Sequence, residues 1–178
     1  KRLLTGTLAA LMLLTACRSG EVTNKNGDKI DLSKYPIETD VTLTYFRPLS
    51  TNITTLVDNF GQTELAKEYA KRTGVTIEYI HPTVGQVEEA LSLMISSDEL
   101  PDIIENNWNL SYAGGPVKAM EDGVIISLNN YKEYAPALFE YLKRDPEYDR
   151  AVKTDKGDYV GFPLIMDGPR LSISAGPS

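Results

Sequence analysis

The sequence predicts an α/β fold, a largely parallel sheet with flanking helices, on three observations. "VTLTYF" (41–46) and "VTIEYI" (75–80) have the period-two alternation of strands, and "LPDII" (100–104) contains a short apolar run of the buried-strand kind. "TELAKEYAKR" (63–72) and "VEEALSLMI" (87–95) repeat apolar residues at helical spacing. The two kinds follow one another as strand, helix, strand, helix, strand. That order implies right-handed crossovers between parallel strands, with helices covering the sheet.

Each element has its own local reason. In the first strand Val41, Leu43 and Tyr45 alternate with Thr42 and Thr44, and a polar loop, "RPLSTN" (47–52), follows. The first helix places Leu65, Ala66, Tyr69 and Ala70 on one stripe and Glu68 four residues before Arg72. Gly74 stands where a left-handed residue would end that helix. Thr83 and Gln86 have capping-box spacing before the second helix, which turns Val87, Ala90, Leu91 and Met94 inward. Further on, "GPVKAMEDG" (115–123) predicts a short helix and "VIISLNNY" (124–131) a strand running into a turn. "PALFEYLKRDPEYDRAV" (136–152) is helical with a break at Pro146, and "KTDKGDYVGFPL" (153–164) is a hairpin turning at Asp155-Lys156-Gly157.

The 178 residues suffice for one domain or one large lobe. A net charge of −7 and a pI near 4.8 exclude the basic face that nucleic acid requires. No G-x-S-x-G, H-E-x-x-H or glycine-rich phosphate loop occurs. One histidine and one cysteine exclude a His/Cys zinc site, and Glu88-Glu89 falls on a solvated helix flank. "NKNGDKID" (24–31) lacks the residue order and closing glutamate of a calcium loop. The expectation is therefore no enzyme, no metal and no cofactor.

The N-terminus predicts export. Lys1-Arg2 precedes fourteen mostly apolar residues, Leu3 to Ala16, a run too short for a transmembrane helix, which needs about 18. Leu14-Thr15-Ala16-Cys17 resembles a bacterial lipobox, whose small residues fit an extended backbone into a peptidase and whose thiol accepts a diacylglyceryl group. Cleavage would leave a signal peptide at 1–16, lipidated Cys17 and a polar tether over 17–40, "RSGEVTNKNGDKIDLSKYPIETD" following the cysteine. Two or more acyl chains anchor firmly where one does not. The domain would occupy 41–178. The start on Lys1 and the stop at "LSISAGPS" read as the N-terminal piece of a longer protein.

Lipobox, tether, "VTLTYF", "KEYAKRTGVTIEYI", "LSLMISSDELPDII", "GVIISLNNY" and "DKGDYVGFPL" occur in an order that resembles the family-1 extracellular solute-binding proteins of bacterial ABC importers, in their sugar-binding lipoprotein branch. "SSDELPDII" (96–104) is the most telling stretch. The resemblance implies a periplasmic-binding-protein-like (type II) fold of which this chain is the first lobe, incomplete, with apolar surface left uncovered. It implies a monomeric, membrane-tethered receptor outside the cell that captures a carbohydrate and passes it to an ABC permease by lobe closure. A surface glycoside-degrading lipoprotein, a receptor for a peptide or other polar solute, and an adhesion lipoprotein are the alternatives.

In an open parallel sheet a ligand sits beyond the carboxyl ends of the strands. The loops there are "RPLSTN", "HPTVG" (81–85) and "ENNWNLSY" (105–112). Glu105, Asn106, Asn107 and Asn109 offer groups that donate to and accept from adjacent hydroxyls, and Trp108 and Tyr112 offer flat faces for a sugar ring. The ligand-binding candidates are Trp108, Asn106, Glu105, Asn107, Arg47 and Tyr112. Against each stands a structural role: Trp108 as a core plug, Asn106 and Asn107 as turn formers, Arg47 in a salt bridge. His81 reads as a turn residue, and Tyr159 as a packed strand residue that could also reach the cleft. Replacing Cys17 by Ser should release the protein from membranes, checked by fractionation; unchanged association would refute the anchor.

Overall fold

The computed structural model describes residues 34–164 together with Thr23, Gly27 and residues 29–31. The expected signal peptide over 1–16, the expected lipidation site Cys17, most of the expected tether and residues 165–178 lie outside the described residues. The fold is α/β. Strand β1 (Thr42–Phe46) lies at the centre of a parallel sheet of order β2-β1-β3, flanked by β2 (Thr76–Ile80) and β3 (Ile103–Ile104). Tyr45 is in register with Tyr79 and Ile103, and Phe46 with Ile80 and Ile104. β2 and β3 lie on opposite sides of β1, so right-handed crossovers place helices α2 (Glu64–Thr73) and α3 (Val87–Ser97) on opposite faces. A one-turn helix, α1 (Thr51–Thr54), and a 3-10 turn at Phe60–Gln62 join β1 to α2.

Helix α2 forms as its sequence dictates. Thr63 caps it, Oγ1 accepting from Ala66 N–H at 3.1 Å, and Glu68 pairs with Arg72 at 2.7 Å. Gly74 ends it at φ 76°. A Cβ there would also lie 2.1 Å from the carbonyl oxygen of Ile37, whose N–H donates to Thr73 O at 2.7 Å. Both the conformation and the close approach require glycine. The stripe is narrower than expected: Ala66 is buried and Ala70 half-buried, but Leu65 and Tyr69 are each 54% exposed. In α3 the expected face is inward, with Leu91 buried and Val87, Ala90 and Met94 half-buried. Phe46 and Leu91, both 1% exposed, are the largest fully buried side chains among the described residues, each worth about 1.5–3 kcal/mol of burial.

Other expectations are corrected. Thr83 and Gln86 form no capping box: Gln86 is itself the residue before α3, and its N–H donates to Thr83 O across a turn that Gly85 closes at φ 84°. "VIISLNNY" forms no strand. The N–H groups of Val124 and Ile125 both turn back to Ala119 O, near the end of the helix Gly115–Glu121, and the segment continues as 3-10 turns over Leu128–Tyr134. The hairpin at 153–164 is reduced to one antiparallel bridge, Lys153 with Tyr159, around Gly157 at φ 85°. "RPLSTN" and "ENNWNLSY" are not wholly loops, since the first runs into α1 and the second contains α4 (Trp108–Ser111). Beyond α5 (Gly115–Glu121), helices α6 (Pro136–Leu142) and α7 (Pro146–Ala151) start on the two prolines. Phe139, Leu142 and Tyr159 form a second core cluster there, so Tyr159 packs rather than reaching a cleft.

"LPD" has a specific task. Because β3 has only two residues, no strand residue of β3 pairs with Thr44, and the Asp102 side chain takes that place. Asp102 Oδ2 accepts from Thr44 N–H at 2.7 Å and from Thr44 Oγ1 at 2.8 Å, while Asp102 N–H donates back to Thr44 Oγ1 at 2.9 Å. The Thr44 backbone N–H, and then its hydroxyl, hold the Asp102 carboxyl below its ordinary 3.8. A carboxyl depressed in the folded state favours folding above its unfolded value, and that contribution is lost as pH falls through the folded value. Asp102 is exposed, so solvent screening reduces this contribution, and Asp102→Ala should cost about 1 kcal/mol at neutral pH. Denaturant titrations should show this difference vanishing as pH falls below 3.8.

Candidate functional site at the carboxyl edge of the sheet

The sheet ladder continues one residue past β1 on each side. Arg47 N–H donates to Ile80 O at 2.9 Å, and Glu105 N–H donates to Phe46 O at 2.9 Å. These bonds set the first residues of two loops side by side, and the side chains meet. Arg47 Nε lies 3.3 Å from Glu105 Oε2, which also accepts from Tyr45 OH at 2.7 Å. The Arg47 guanidinium lies 4.2 Å over the Phe60 ring, and its side chain is 29% exposed against 50% for Glu105. Burial, followed by the Glu105 hydrogen bond, pushes the Tyr45 phenol up to about 12.

Behind this pair stands an aromatic wall. Tyr45 and Tyr79 are register partners with ring centroids 5.5 Å apart, and the Phe60 ring meets Tyr79 edge-on at 5.2 Å. Desolvation raises the Tyr79 phenol as well. Asn59 pins the 3-10 turn to the wall, its Nδ2 donating to Tyr79 O at 3.1 Å and its Oδ1 accepting from Gly61 N–H at 2.8 Å. His81 stacks on Tyr79 at 6.0 Å and 13°. It is more than a turn residue, since both ring nitrogens are engaged: Nε2 with Phe60 N–H at 2.9 Å and Nδ1 with Arg47 O at 2.7 Å.

The remaining candidates lie along the chain after β3. Asn106 Oδ1 accepts from Ser111 Oγ at 3.0 Å, and Asn106 Nδ2 is buried without a partner. Asn107 precedes α4, its carbonyl accepting from Leu110 and Ser111 N–H at 3.0 Å each. Its side chain caps nothing. Trp108, half-buried on α4, lies 6.1 Å from Tyr112, whose hydroxyl donates to Asp122 at 2.8 Å. Asp122 also pairs with Lys118, and Lys118 then Tyr112 hold its carboxyl below the ordinary range.

The structure thus brings the candidates together as two pairs, Arg47 with Glu105 and Trp108 with Tyr112, connected by residues 105–108 of the chain. Tyr45, Asn59, Phe60 and Tyr79 surround the candidate site, and sequence reasoning did not single them out for it. Tyr45 and Tyr79 each stand next to last in an alternating run, the one signal that could have paired them. Chemically, a stacked guanidinium and a carboxylate supply directed donors and acceptors beside apolar rings. Among the described residues no group of three or more His, Cys, Asp or Glu could hold a metal. Nor is any described helix long and apolar enough to cross a membrane. Replacing Glu105 by Gln should lower the Tyr45 ionisation from about 12 toward the ordinary 10.0, read from tyrosine ring-carbon NMR shifts against pH.

No protein-family model matches the chain, and no curated protein matches it. Solved structures do share the fold. The S. pneumoniae ABC-transporter substrate-binding protein FusA in complex with kestose is similar at a TM-score of 0.55 and 22% identity. An EF-hand mutant of FusA in complex with fructo-nystose is similar at 0.55 and 24%. Both matches cover 67% of this chain and 23% of theirs. The alginate-binding protein AlgQ2 without calcium ion is similar at 0.51 and 22%, covering 66% of this chain and 23% of its own. The chain spans about a quarter of the length of the structures it matches.

Proposed function

We propose that this chain is the carbohydrate-capturing part of a substrate-binding lipoprotein of an ABC importer. The observation that carries the reading is the Arg47–Glu105 pair, held at the carboxyl edge of a parallel sheet against Phe60 and Tyr45. Adjacent hydroxyls on a sugar ring ask for a donor and an acceptor side by side, and the C–H face of the ring asks for a flat apolar surface. A guanidinium already balanced by a carboxylate suits an uncharged oligosaccharide better than a free cation would. The half-buried Trp108 and its neighbour Tyr112 supply a second flat surface on the same connected loop. The buried, unpartnered Nδ2 of Asn106 supports the reading, because a donor withdrawn from water calls for a partner from a solute or from a shift of the loop.

FusA with kestose and the alginate-binding AlgQ2 share the fold, which agrees with a saccharide ligand. In the whole protein, lipidated Cys17 and the tether over 17–40 would hold the domain, 41–178, outside the cell as a monomer without a cofactor. Closure of a second lobe on the bound sugar would create the form that docks on a permease.

A thermal-shift panel of kestose, alginate oligomers, monosaccharides and short peptides tests this. A cognate sugar at a hundredfold excess over its Kd should stabilise the protein by about 2.7 kcal/mol. A response to peptides with none to any sugar would overturn the carbohydrate reading. With a sugar in hand, Trp108→Ala should weaken binding about tenfold, about 1.4 kcal/mol, while the melting temperature of the free protein holds. Loss of the fold instead would make Trp108 a core plug.

A further inference from the structure

We propose that His81 is the positioning residue of this subsite: a neutral imidazole that fixes both the backbone of Arg47 and the ring on which its guanidinium rests. The assignment rests on the carbohydrate reading of the site, and its geometric part stands apart from it. Phe60 N–H can only donate, so Nε2 of His81, 2.9 Å away, must present a lone pair. Arg47 O can only accept, so Nδ1, 2.7 Å away, must carry the proton. The two backbone partners thus determine the tautomer without reference to anything else. Stacking on Tyr79 at 13° holds the ring plane.

The consequence is a closed circuit. From His81 one bond leads to the carbonyl of Arg47, and the other leads to the amide of Phe60. The circuit closes where the Arg47 guanidinium rests 4.2 Å above the Phe60 ring. A long, flexible side chain loses rotamer entropy when it is immobilised. Ordering Arg47 before a ligand arrives removes that loss from the binding step, which is preorganisation in the usual sense. Arg47 and Phe60 are thirteen positions apart, on either side of α1, and no sheet bond joins them. The imidazole is the direct polar link between the two backbones.

The chain contains a single histidine, so histidine-selective 15N labelling yields one imidazole. The expected spectrum has a protonated Nδ1 and an unprotonated Nε2. A protonated Nε2, or averaging between tautomers, would overturn the proposal. In His81→Phe, which keeps a flat ring against Tyr79, the Arg47 side-chain protons should lose the upfield displacement imposed by the Phe60 ring. The amide signals of Leu43 and Ile77 should stay in place. Phe60→Leu should abolish the same displacement by removing the ring, which identifies its source even if the histidine variant folds poorly. Arg47 signals unmoved in His81→Phe would refute the positioning role. With a responding sugar such as kestose, His81→Phe should weaken binding about tenfold in the native background and have no further effect in Arg47→Ala. Equal losses in both backgrounds would mean a merely structural histidine. The ligand-free spectra separate the two ideas: in a chain that binds no sugar, the Nδ1–H signature and Arg47 displacement support the positioning geometry, while the missing response counts only against the carbohydrate reading.

Discussion

The geometry of this protein depends on two backbone hydrogen bonds that carry the sheet ladder one residue past β1 and one residue past β3. Arg47 N–H to Ile80 O and Glu105 N–H to Phe46 O extend the parallel ladder just past the carboxyl ends of β1, β2 and β3. A parallel ladder gives neighbouring strands the same direction, so their outgoing loops leave from one edge. Once the register is set, a cation from one loop and an anion from another come within 3.3 Å, although they are 58 positions apart. The Arg47–Glu105 pair is thus a result of strand registry. Its partly exposed position means that its value lies in placing groups more than in stability.

Registry in turn needs the central strand satisfied along both edges. β2 runs the length of β1, but β3 offers only two residues. The Asp102 carboxylate fills the gap by accepting from Thr44 N–H, and Pro101, which has no N–H of its own, introduces the short strand. A side chain is here doing what a longer strand would do through its carbonyls. The arrangement keeps β3 short and brings the chain quickly to Glu105 and the helical turn carrying Trp108.

The cover over this edge is aromatic and hydrogen-bonded together. Tyr45, Tyr79, Phe60 and His81 form contacts between 5.2 and 6.0 Å, and the Tyr45 hydroxyl and both His81 ring nitrogens find partners on Glu105, Arg47 O and Phe60 N–H. Asn106 Nδ2 is the exception among the described residues. A buried donor left unsatisfied in the loop that follows Glu105 is a local cost that the packing around it leaves uncompensated. The second cluster, Phe139, Leu142 and Tyr159, is built otherwise, with Tyr159 bonded to Asp149 and packed edge-on against Phe139 at 5.0 Å.

Alternation of periods two and 3.6 determined the α/β class, the order of β1, α2, β2, α3 and β3, the inward face of α3 and the turn at Gly74, because each depends on residues near one another in the chain. The loops holding Arg47 and Glu105 were legible for the same reason, through the rule that ligands meet the carboxyl ends of parallel strands. Their mutual pairing was not. Local patterns misled where the end of the preceding helix competed for the backbone: "VIISLNNY" has strand character, yet Ala119 O takes two of its amides. Only the tertiary structure decided that Tyr45 and Tyr79 face one another, that Phe60 carries the guanidinium, and that the lone histidine joins two loops. Those facts depend on register and on crossovers that bring residues 45, 60, 79 and 81 together, and side-chain period carries no information about which strands become neighbours.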